Sequence, residues 1–90
     1  MEQWATWTTI GIISGPGGVP TVERGTISGE LTVHTTWVDG RADITVQYVG
    51  AQDWFTFPES PVAVADEPAA REAHQQAVER VKQGARGQAD

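Results

Sequence analysis

"GTISGELTVHTTWVDGRADITVQYVG", residues 25–50, sets two runs rich in β-branched and aromatic residues on either side of Asp39-Gly40. Asp-Gly suits a two-residue type I′ turn, which needs positive φ at both central positions. That turn fixes the register. With Val38 opposite Arg41, Trp37 faces Ala42, Thr35 faces Ile44, Val33 faces Val46 and Leu31 faces Tyr48, all on one side. The other side carries Glu30, Thr32, His34 and Thr36 against Val49, Gln47, Thr45 and Asp43. Side chains alternate along a strand, so the stretch reads as an antiparallel pair with one apolar and one polar face.

Upstream, "WATWTTIGII" (residues 4–13) is β-branched and aromatic and reads as a strand, with Trp4 and Trp7 on opposite faces by parity. "SGPGGVP" (residues 14–20) cannot continue a ladder, because of its Pro and Gly, and is expected to be a mobile connection. Downstream, "GAQD" supplies a turn and "WFTF" a short fourth strand ended by Pro58. A helix follows from an N-cap at Asp66, with Glu67 and Pro68 in its first turn and Gly84 as its stop. Ala70, Ala73, His74, Ala77, Val78 and Val81 share one helical face. The fold expected is α+β: a four-stranded antiparallel meander followed by one C-terminal helix packed on one face. Residues 1–84 would form a single domain and residues 85–90 a frayed tail.

Charge and composition narrow the functions. The formal charge is -6, from 12 acidic and 6 basic residues, which disfavours nucleic acid, since phosphate binding needs clustered Lys and Arg. No cysteine is present, so disulfides and thiolate metal sites are excluded. The start "MEQWATWTTIGII" has no basic leader and its apolar residues are broken by Thr and Gly, so it reads as neither a signal peptide nor a membrane span. A cytoplasmic protein with no cofactor is expected.

Three features invite a functional reading. "SGPGG" (residues 14–18) resembles a phosphate-cradling loop only in its glycines; it lacks the Lys and the following helix that such a loop requires. His34 and Asp43 share the polar face as diagonal neighbours, a possible acid–base pair, but no nucleophile accompanies them and one His with one carboxylate falls short of a metal site. His74, on the small-residue face of the helix, is expected to hydrogen-bond at the edge of the core.

The aromatics carry more weight. In "DWFTFPESP" (residues 53–61), Trp54 shares a face with Thr56, and Phe55 shares the other with Phe57. Four strands span about 19 Å, whereas a helix with its side chains is about 10–12 Å across, so one helix leaves part of the sheet bare. Rings from Trp54, Phe55 and Phe57, with Trp4 or Trp7, are therefore expected to form an apolar patch completed by a second subunit.

"VQYVGAQDWFTFPESPV" with the Ala-rich helix that contains His74, residues 46–81 together, is similar to short actinobacterial proteins that carry a Tyr, a Gly-Ala, an Asp/Glu-Trp-aromatic and a Ser-Pro before one helix. That resemblance implies no activity. In order of elements the chain also resembles the Whirly-like single-stranded nucleic-acid proteins, though fold order does not carry function. The function expected is a small non-enzymatic protein-interaction or regulatory module, homodimeric. A binder of a small apolar ligand between helix and sheet is the first alternative, and a single-stranded nucleic-acid binder the second.

Overall fold

A computed structural model of the chain describes residues 3–85. Strand β1 (Trp4–Ile13) is followed by a small arm of β2 (Val19–Thr21) and β3 (Gly25–Ile27). The central hairpin is β4 (Glu30–Val38) and β5 (Arg41–Tyr48); two short strands, β6 (Phe55–Thr56) and β7 (Val62–Ala63), lead to the helix α1 (Glu67–Gln83). The main sheet runs β1-β4-β5-β6, with β7 also on β5, and all its pairs are antiparallel.

The α+β class, the antiparallel sheet and the single C-terminal helix on one face agree with the sequence reading. The hairpin register also agrees, from Val38↔Arg41 to Leu31↔Tyr48. Asp39 and Gly40 have φ of 46° and 86°, the two positive values that a type I′ turn demands. Asp66 caps α1, its carboxylate accepting the Ala69 N–H at 3.0 Å.

Two expectations are corrected. The sheet has five strands rather than four, because residues 55–63 form one interrupted edge along β5. Pro58 and Pro61 cannot donate to a ladder, so pairing stops after β6 and resumes at β7. Between them the Ser60 hydroxyl accepts the Ile44 N–H at 2.9 Å, and Ile44 O accepts the Phe57 N–H at 3.0 Å, which keeps the β5 backbone satisfied across the gap.

Residues 14–20 are also not the free connection that their composition suggests. Gly15 donates its N–H to Val81 O at 2.8 Å, and Gly18 O accepts the Ala85 N–H at 2.8 Å, so the stretch closes the C-terminal end of α1. A Cβ on Gly15 would collide with the backbone of Lys82 and Gln83, and one on Gly84 with that of Pro16 and Gly15. Glycine is needed here for close backbone contact. From this anchorage β2 and β3 bring Val19 and Ile27 into the core cluster with Leu31, Phe55, Phe57, Val78 and Val81.

The helix packs across β1, β4 and β5, and the arm carries its apolar residues into the same core. Its tip reaches β6, where Thr56 O accepts the Val22 N–H at 3.0 Å. The Glu23 carboxylate accepts both the N–H and the hydroxyl of Thr56 at 2.6 Å each. These bonds hold its carboxyl below the usual carboxylate range, with the Thr56 hydroxyl the largest cause. Of the tail expected at residues 85–90, all but Ala85 lies outside the described residues.

Candidate functional site

Alternation divides the aromatics. Phe55 pairs with Val46 on the helix side, and Phe55 and Phe57 are 9% and 2% exposed. They belong to the core, which corrects the expectation that they line an exposed patch; the arm supplies the cover that one helix lacks. Tyr48 meets Phe55 edge-on at 6.5 Å. Trp7, opposite Thr35 on the helix side of β1, is half-buried. Trp37 is buried, its indole N–H donating to Val64 O at 3.2 Å.

By alternation Trp4 and Trp54 belong to the other face, where Thr32 is buried but both indoles are exposed. Trp4 is 67% and Trp54 43% exposed. Trp54 leans on the His34 ring, with centroids 5.8 Å apart and planes at 57°. Around them the face is rich in threonine: Thr6 and Thr8 on β1, Thr36 on β4, Thr45 on β5 and Thr56 on β6. His34 sits within this array. Its Nδ1 is 2.7 Å from the Thr8 hydroxyl and its Nε2 3.2 Å from that of Thr36.

Asp43 lies opposite Thr36, and His34 opposite Thr45, the diagonal relation that the sequence indicates. The two are not joined, however: the Asp43 carboxylate instead takes the Arg41 guanidinium at 3.3 Å. Both His34 nitrogens are held by hydroxyls, and no carboxylate is placed to orient the ring for proton transfer. Among the described residues no group of three or more His, Cys, Asp or Glu could hold a metal ion.

His74 has the same chemistry on the opposite face. Its Nδ1 is 2.8 Å from the Thr35 hydroxyl and its Nε2 2.9 Å from that of Thr9, and it is 5% exposed. A neutral imidazole donates at one nitrogen and accepts at the other, and a hydroxyl can answer either. Burial, with a smaller repulsion from His34, holds its pKa below the ordinary histidine value. His74 thus joins α1 to β1 and β4 from within the core.

The β1 edge was not among the surfaces expected from the sequence. β1 is the terminal strand of the sheet, pairing only with β4, and its ten residues include no charge and no proline. The expected meander already sets this strand first, beside the first strand of the hairpin, and the arm that lies between them in the chain leaves that order intact. A bulge between Thr9 and Ile12 also shifts the register, with Gly11 at φ 81°. Ile10, within the bulge, and Ile13, beyond it, are 72% and 67% exposed.

A cleft of about 180 Å³ opens on the helix side, between α1 and the β5–β7 edge, over Ile44, Phe57 and Val62. No helix among the described residues is long and apolar enough to cross a membrane. Comparison with protein-family models, curated proteins and solved structures found no match.

Proposed function

We propose that this chain is a small, non-enzymatic, cytoplasmic protein-interaction module that takes a second copy of itself along β1 and the open face beside it. The observation that carries the reading is the β1 edge. Natural sheets protect such edges with charge, proline or cover, because alternate N–H and C=O groups of an edge strand point outward unpaired. β1 has only its bulge, near one end, so Trp4–Thr9 stays regular, uncharged and open.

Antiparallel pairing of one edge with its own copy is self-complementary about a two-fold axis, the commonest oligomer symmetry. It brings two sets of Trp4, Ile10 and Ile13 to the joined face. Charge supports the same choice: a protein of net charge -6 repels its copies in general, but no like charges face each other across Trp4–Ile13. Single-stranded nucleic acid is disfavoured by that net charge, and weaker binding than about 100 μM at physiological salt is expected.

Sedimentation of the wild type at micromolar concentration should show a dimer. A variant with Thr6→Lys and Ile10→Lys, both exposed and outside the core, should be monomeric with unchanged helical circular dichroism. A wild type that stays monomeric at 100 μM, or a double-lysine variant that stays dimeric, would overturn the reading.

A further inference from the structure

We infer that the tip of the β2–β3 arm is an end cap for the sheet: it occupies the β6 edge where a further copy of the chain would add, so that assembly through β1 closes at two copies. Closure at two copies rests on the β1 reading above, whereas the cap itself is a property of one chain.

Strand alternation decides which backbone groups are offered at that edge. In an antiparallel pair, residues that bond inward to the partner strand alternate with residues whose N–H and C=O point away from it. Phe57 bonds inward, its N–H donating to Ile44 O at 3.0 Å, so its neighbour Thr56 points both groups outward. The arm takes both. Thr56 O accepts the Val22 N–H at 3.0 Å, and the Thr56 N–H donates to the Glu23 carboxylate at 2.6 Å. One donor and one acceptor from consecutive residues thus stand where the N–H and C=O of a neighbouring strand would. The other carboxylate oxygen accepts the Thr56 hydroxyl at 2.6 Å, which holds Glu23 in that place.

The tip is also built to stay there. Its turn is closed on itself, since the Thr21 hydroxyl donates to Gly25 O at 2.6 Å and accepts the Arg24 N–H at 3.2 Å. Two residues past Thr56, Pro58 has no N–H to offer on the same side. Charge against an edge is a known guard against strand addition, and Glu23 supplies it where β1 has none. A two-fold β1–β1 pair carries one capped β6 edge at each outer end. Without the tip, each of those edges can pair with another dimer, and growth does not stop at two.

Glu23→Ala removes the acceptor of the Thr56 N–H, while Glu23→Gln loses the same charge but keeps a side-chain carbonyl for that bond. In dilute protein, hydrogen exchange at the Thr56 amide should quicken about ten-fold or more in Glu23→Ala relative to that of Val33 at the sheet centre. On concentration to about 300 μM, sedimentation of Glu23→Ala should show at least one step of association beyond the wild type, and Glu23→Gln should sediment as the wild type does. A monomeric wild type would sink the β1 reading alone, because Glu23→Ala should then still advance from monomer to dimer through β6. An unchanged Thr56 amide, no association beyond the wild-type state, or the same gain in Glu23→Gln would each overturn the cap.

Discussion

The two faces of the β1–β4 pair carry the same small motif, and burial gives it two different roles. On one face Thr8 and Thr36 hold the ring nitrogens of His34; on the other Thr9 and Thr35 hold those of His74. Thr8 and Thr9 are consecutive, as are His34 and Thr35, so strand alternation alone sends one set to each side. Under the helix, His74 is closed off and kept neutral, and its hydrogen bonds fix how α1 sits on the sheet. His34 lies among half-exposed threonines beside Trp54, where water can take over any bond it loses. Cover, more than the local constellation, decides whether such a motif supports the fold or serves as surface.

The largest effects should separate the covered face from the open one. Phe57→Ala removes a ring that is 2% exposed, and such truncations cost about 3–5 kcal/mol. Trp54→Ala, on the open face, should cost no more than about 1 kcal/mol, since surface changes are usually small. Denaturant midpoints of the two variants test this directly. Similar losses would mean that the open face is covered in solution.

His74 should come next, and its signature is pH. Its folded pKa lies below the ordinary value, so the unfolded chain binds the proton more readily. Its contribution is therefore fully present above the ordinary histidine pKa of 6.5 and is lost as pH falls below it. Stability measured by urea unfolding should fall from pH 7 to pH 5 in the wild type. In His74→Gln that slope should flatten. Replacing His74 by Ala, which strands two hydroxyls and leaves a cavity, should cost about 2–4 kcal/mol at neutral pH. An unchanged slope in His74→Gln would remove burial as the distinction between the two rings.

Smaller losses, about 1–3 kcal/mol, should follow from two glycines that act for different reasons. Gly40→Val strains a positive φ in an otherwise open position, where an added Cβ would meet only Val64 O at 3.8 Å. Gly15→Ala instead forces the arm off the end of α1. Its effect should reach the arm amides in hydrogen exchange, whereas that of Gly40→Val should centre on the β4–β5 turn. Confinement of the Gly15→Ala change to residues 14–16 would show that the arm does not depend on this contact.

These glycines also mark where the sequence was legible. Asp39-Gly40 lies between strands it joins directly, so local turn chemistry gave the register of both and the faces of His34, Asp43, Trp37 and Tyr48. The N-cap at Asp66 and the apolar face of α1 were equally local. Gly15 was misread because its partner is the helix end nearly seventy residues later, and a glycine needed for a distant contact looks like one needed for flexibility. The same blindness hid the arm, and with it the burial of Phe55 and Phe57. It also hid the pairing of Thr8 with His34, which depends on a β1–β4 register set by the arm's length and by the bulge at Gly11.

The smallest stability effect should come from His34→Ala, and the proposed interaction depends on its being small. The variant loses contacts to Thr8, which is exposed, and to Thr36 and Trp54, so the freed hydroxyls turn to water and the stability change should stay within about 0.5 kcal/mol. What should change is the surface itself. Trp54 rests on the His34 ring, and without it the indole gains freedom, so its fluorescence should shift while the midpoint of unfolding holds. Because His34 holds Thr8 of β1, the strand proposed to take the second copy, the variant's dissociation constant should rise although its monomer stays intact. A loss of several kcal/mol in dilute, monomeric protein would instead mean that His34 is as enclosed as His74, and the open face could not then be the surface that receives a second copy.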